Sequence, residues 1–168
     1  MMILKEISKL ILPIEDFKIV VKNTPLISID FIVRNEDTEG ILLGKRVNKP
    51  AFGYYFTLGG RVLKDESIEK AQKRIFKNEL GFDLNQIPKF LGIFEHFYND
   101  SFVDDNISTH YVNMGYEINI SQSLINQFEN LPKEQHSYYK WFSLKELLNS
   151  NEVHKYTKDY FSKIGENK

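Results

Sequence analysis

Cysteine is absent from the 168 residues, which removes disulfides, thiolate nucleophiles and cysteine zinc sites together. No apolar run approaches the roughly 18 residues that a membrane-spanning helix needs. The opening MMILKEISKL carries charge too early and too often for the apolar core of a signal peptide. A cytoplasmic protein with no membrane contact is therefore expected. Basic excess is missing too: 22 Lys and Arg stand against 23 Asp and Glu, a net charge of -1, so no nucleic-acid surface is indicated. There are no internal repeats or low-complexity stretches.

Aromatics are plentiful, with 13 Phe and 9 Tyr. Such rings fill cores, and they also line nucleotide and sugar pockets, so their number alone decides nothing. The length suits one domain over residues 1–168 with a two- or three-layer core. Residues 1–12 form an N-terminal arm, in which Ile3, Ile7, Leu10 and Ile11 recur at helical spacing. That arm either packs on its own domain or crosses to a second subunit.

The remaining elements follow in order. Pro13 suits the first position of a short helix over IEDFKIVV. PLISIDFIV is β-branched and alternating enough for a strand. Asp30 sits inside it, and a carboxylate there is either paired within the fold or turned to solvent. EDTEG (36–40) is a turn and ILLGKRV (41–47) the returning strand. A loop rich in Pro, Gly and aromatics precedes FTL (56–58). PKFLGIFEHFYN (88–99) and ISTHYVNMGYEINI (107–120) form a strand pair, and a long polar connection leads to a short strand at YKWF. SLKE (143–146) is a capping box, and Val153, Tyr156 and Tyr160 give the last helix an apolar face.

At the centre lies GGRVLKDESIEKAQKRIFKNELGF, residues 59–82. Ser67 suits an N-cap, Ile68, Ala71 and Ile75 make an apolar stripe, and Gly81 is a helix stop. A glycine turn feeding such a helix is one way to set carbonyls and acidic side chains around a metal–phosphate group.

This stretch resembles the box of the Nudix hydrolases, G-x5-E-x7-R-E-U-x-E-E-x-G-U with U bulky and apolar. Gly60, Glu66, Arg74, Phe76, Glu79, Gly81 and Phe82 fall on it in register. Ile75 and Asn78 replace two of its carboxylates. TPLISIDFIV, LLGKR, GYYFTLGGRV, NELG, EHFY, THY and EQH, spread from Phe17 to His154, are together similar to the GDP-mannose mannosyl hydrolases, Nudix members that lack the same acids.

The resemblance implies an α/β Nudix fold, an α/β/α sandwich with a mixed sheet and the glycine loop leading into the box helix. It implies hydrolysis of GDP-mannose, and also GDP-glucose, to GDP and free sugar by water attack at the anomeric carbon with inversion. Its Mg²⁺ ligands fall on the Gly59 carbonyl, the Glu79 carboxylate and the Gln135 amide oxygen. One ion per site is implied, with Mn²⁺ as an alternative. The general base falls on His136 and the catalytic, phosphate-binding arginines on Arg46 and Arg61. Asp30, His96 and Tyr111 match contacts to sugar or diphosphate, and Phe17 an aromatic near the nucleotide. A homodimer is also implied. Arg74 reads as a structural partner of Glu66, while His110 and His154 read as structural. Two alternatives stay open: a nucleotide-sugar pyrophosphohydrolase attacking phosphorus, and a non-catalytic GDP-sugar-binding Nudix module.

Overall fold

The computed structural model describes residues 12–126 and 136–165. The apolar stripe at residues 3–11 and the expected metal ligand Gln135 lie outside them. Helix α1 (Ile14–Asn23) leads into strand β1 (Leu26–Asn35). Strands β2 (Ile41–Arg46), β3 (Tyr55–Phe56) and β4 (Leu58–Arg61) precede helix α2 (Ile68–Leu80). Strands β5 (Lys89–Tyr98) and β6 (Thr109–Ile120) follow, then the single turn α3 (Gln122–Ile125), strand β7 (His136–Phe142), and helices α4 (Leu144–Asn149) and α5 (Lys155–Gly165). No described helix is long and apolar enough to cross a membrane.

The sheet runs β3-β2-β1-β6-β5, with β4 also on β1 and β7 also on β2. It is mixed: β1 lies parallel to β6 from Leu26↔Tyr111 to Asn35↔Ile120, and the other pairings are antiparallel. Strand β1 is central and covered on both faces, which accounts for its nearly continuous apolar run. On one face Ile29, Phe31 and Leu58 pack against Ala71, Ile75, Phe76 and Leu80 of α2. On the other, Ile32, Leu43, Phe94 and Phe142 pack against Leu147 of α4 and Val153 and Tyr160 near and on α5. These are the three layers of the expected sandwich.

Local chemistry fixes the ends of the key helices. The Ser67 hydroxyl accepts the Lys70 amide at 3.3 Å, and Gly81 ends α2 at φ 80°, a conformation glycine adopts without a Cβ clash. The Ser143–Glu146 capping box is present at α4. Strand β7 begins at His136, three residues before YKWF, because its ladder with β2 extends to the pair Arg46↔His136. The polar composition of this stretch hid that pairing.

Candidate functional site

A cavity of about 390 Å³ opens at one end of the sheet. Seven of the expected residues line it: Phe17 from α1, Asp30 from β1, Arg46 from β2, Gly59 and Arg61 from β4, His96 from β5 and Tyr111 from β6. Because β4 and β6 flank β1, the short register pairs Asp30↔Gly59 and Leu26↔Tyr111 bring distant segments to one wall.

Asp30 is buried within the fold, at 6% exposure, so it does not face bulk solvent. Its Oδ2 accepts hydrogen bonds from Tyr160 Oη (2.7 Å), Asn113 Nδ2 (2.6 Å) and Thr57 Oγ1 (3.0 Å). Asn113 is held in turn by Ser28, whose hydroxyl donates to Oδ1 at 3.0 Å. Burial pushes the Asp30 carboxyl above its ordinary range, opposed by these three donors and by the Arg46 charge.

The cations divide into two kinds. Arg74 is consumed internally: its Nε and Nη2 donate to Glu66 at 2.6 and 2.8 Å, and Nη2 also donates to the Arg61 carbonyl at 2.7 Å. It is the expected structural partner, and it braces the backbone that carries Arg61. Lys49 is tied to Asp105 at 2.7 Å. Arg46 and Arg61, by contrast, form no ion pair among the described residues. Arg46 Nε is buried with no hydrogen-bond acceptor among them. The Arg61 guanidinium lies 3.8 Å from the Phe17 ring centroid, which covers its face and leaves the edge donors for a ligand. Burial lowers the Arg61 pKa from its ordinary value. Two guanidinium groups lining one cavity, neither in an ion pair among the described residues, can take a polyvalent anion.

His96 is 2% exposed, with its ring stacked on Tyr156 at 4.3 Å and 10°. Burial, followed by the nearby charges of Lys155, His96 and Arg46, pushes His154 down to about 4, so it is neutral at pH 7. Its Nδ1 accepts the Tyr156 amide at 3.3 Å, a structural role. His110 stacks on Phe97 at 4.3 Å, and neither His110 nor His154 lines the cavity.

The expected metal set is only partly within view. Gly59 lines the cavity; Glu79, a buried residue of the last turn of α2 at 3% exposure, does not, and its charge reaches Tyr139 of β7. Among the described residues no three His, Cys, Asp or Glu side chains gather around one point. A carbonyl, one buried carboxylate and an amide are nevertheless hard oxygen donors, which suit Mg²⁺ or Mn²⁺ rather than zinc. The Arg46↔His136 register sets the His136 backbone beside a cavity-lining arginine.

Sequence reading missed Tyr98, which lines the cavity, and the residues that cage Asp30: Thr57, Asn113 and Tyr160. Strand alternation could have found two of them, since Tyr98 follows His96 by two residues and Asn113 follows Tyr111 by two. Tyr160, 130 residues from Asp30, gives no local signal.

The NUDIX domain family profile matches residues 24–162. The low-salt glycan biosynthesis protein Agl8 of Haloferax volcanii is 39% identical over 132 residues, covering 78% of this chain and 79% of Agl8. Among solved structures, the MutT protein of Methanosarcina mazei Go1 superposes with a TM-score of 0.67 at 22% identity, covering 87% of this chain and 98% of that one. The NUDIX domain of Shewanella oneidensis NrtR, solved in complex with ADP ribose, gives 0.64 at 17% identity over 86% and 89%. At those identities the structures establish the fold. The profile match is of a different kind, since it spans the box helix and every cavity strand from β1 to β6, including β4, where Gly59 and Gly60 lie in a strand rather than in the expected glycine turn, and on that ground the chain belongs to the Nudix hydrolase family.

Proposed function

We propose that this protein hydrolyses a GDP-hexose, GDP-mannose or a close relative such as GDP-glucose, to GDP and free sugar with inversion at the anomeric carbon. The observation that carries this reading is the contrast at the box. Where the family pattern has its water-activating acid, Ile75 is 2% exposed in the apolar core, while the cavity holds a caged carboxylate and two arginines that form no ion pair among the described residues. The wall is built for an anionic leaving group more than for activating water at phosphorus.

Arg46 and Arg61 bind the diphosphate and neutralise the charge that develops on GDP as the C–O bond breaks. Since GDP leaves as an anion already stabilised there, no carboxylic acid is needed to protonate it. Asp30, His96 and Tyr111 contact the sugar and its diphosphate link, and Phe17 lies toward the nucleoside. His136 takes the proton of the attacking water, whose oxygen becomes the anomeric hydroxyl. Gly59, Glu79 and Gln135 would hold a Mg²⁺ ion, which would supply further charge neutralisation on the diphosphate.

Two relatives support the substrate class. Agl8 is named for glycan biosynthesis, and the NrtR domain was solved with ADP ribose, a nucleoside diphosphate joined to a sugar. A homodimer in the cytoplasm belongs to the same reading. Nudix membership itself favours a second one, attack at phosphorus to give GMP and sugar phosphate. Hydrolysis of GDP-mannose with Mg²⁺ in ¹⁸O-water separates them. Label on the free sugar, with unlabelled GDP, is expected; label on any phosphate overturns the proposal. Binding without Mg²⁺-dependent turnover would mark a non-catalytic module.

A further inference from the structure

Helix α5 contributes no described residue to the cavity wall, yet two of its side chains brace the wall from behind. Tyr156 and Tyr160 stand one turn apart on its sheet-facing side, at 8% and 0% exposure. The Tyr156 hydroxyl accepts from the Phe97 amide and donates to the Phe97 carbonyl, both at 2.8 Å, which fixes its ring flat against His96. Tyr160 reaches further and donates to Asp30 Oδ2 at 2.7 Å.

The sheet is cut away to let it do so. Asp30 pairs with Gly59 on β4 and with Gly115 on β6. A Cβ at position 115 would lie 2.9 Å from Tyr160 Cε1 and 3.0 Å from Phe94 Cε2. A Cβ at position 59 would collide with Asp30 Oδ1. The tyrosine ring therefore passes over Gly115 to one carboxylate oxygen, while the other rests against Gly59. All three donors meet Oδ2, and Oδ1 accepts no hydrogen bond from a described residue. The terminal torsion of an aspartate is broad, so an unanchored carboxylate would rotate and carry both oxygens away from these positions.

We infer that Tyr160 is a positioning residue: its hydroxyl anchors Asp30 Oδ2 so that Oδ1 is presented beside Gly59 as the acceptor for a hydroxyl of the bound sugar. The C-terminal helix is thereby a working part of the sugar subsite, although it touches no substrate. This rests on the reading of the cavity as a nucleotide-sugar site.

The test is a cycle of Tyr160→Phe, Asp30→Asn and the double variant in the full-length protein, assayed with GDP-mannose and Mg²⁺ at one pH. Tyr160→Phe is expected to lower kcat about tenfold, the scale of one hydrogen bond to a charged group, with KM changed less than about threefold. In the Asp30→Asn background the same change is expected to cost less than about twofold. Gly115→Ala, which displaces the ring without removing the hydroxyl, should reproduce the loss. Wild-type kcat in Tyr160→Phe, or equal fold-losses in both backgrounds, would overturn the inference. Wild-type turnover in Asp30→Asn would instead overturn the assignment of Asp30 to the sugar, and this inference with it. Phosphate-labelled product from ¹⁸O-water would sink the attack-at-carbon reading separately.

Discussion

The Arg61 guanidinium packs 3.8 Å from the centroid of the Phe17 ring, joining the first described helix to the strand that leads into the box. The contact does two things. It packs α1 against β4 at the cavity, and it orients the proposed phosphate-binding cation without spending its hydrogen-bond donors.

Phe17→Ala should therefore raise KM for the nucleotide sugar by roughly three- to tenfold, the range of a cation–π contact, with a smaller effect on kcat. Phe17→Tyr keeps the ring and should stay near wild type. Steady-state kinetics on the three proteins check this.

Glu66 and Arg74 predict a pH-dependent stability. Burial pushes the Glu66 carboxyl up, but the Arg74 hydrogen bonds, the Leu63 amide and the Arg74 and Lys70 charges outweigh it and leave it below its ordinary 4.5. A carboxyl lowered by folding contributes stability above 4.5 and loses it as the pH falls through the lower, folded-state value. Glu66→Gln should cost about 2 kcal/mol near neutrality. Urea unfolding of both proteins should show that gap closing below pH 4.5.

Restoring the acid at position 75 should not restore the ordinary box. Ile75 lies in the core at 2% exposure, with its Cγ1 3.2 Å from where a Cβ on Gly60 would stand. Ile75→Glu buries a carboxylate among apolar groups and should destabilise the fold by about 3 kcal/mol or more. Thermal melts should register the loss, and product analysis should find no GMP.

His136→Ala and Glu79→Gln should separate base from metal ligand. The first removes the proposed base, and kcat should fall about 10²–10⁴-fold with little change in KM. The second should raise the Mg²⁺ concentration needed for half-maximal rate. Equal effects of Mg²⁺ on both variants would contradict the division of roles.

Much of the architecture was readable in local chemistry. Ser67 and Gly81 bound the box helix through short-range hydrogen bonds and a positive φ, and the Ser143–Glu146 box opens α4 within four residues. Spacing alone put Gly60, Glu66, Arg74 and Glu79 in register with the Nudix pattern, and the Arg74–Glu66 pairing followed from it. Strand β7 was read three residues short because a polar strand edge shows no alternation until its partner is known.

What the amino-acid order determined by itself, then, was whatever depends on contacts within a turn or two: element ends, the box helix, and the loss of two acids at Ile75 and Asn78. The burial of Asp30, the choice between a caged and a solvent-facing carboxylate, and the service of Tyr160 from the far end of the chain were decided only by tertiary structure. Those depend on β1 lying between β4 and β6, with Gly59 and Gly115 leaving room on either side. Pairings across 27 to 130 residues leave no periodicity in the chain, because their energy comes from atoms that become neighbours only when the sheet is assembled.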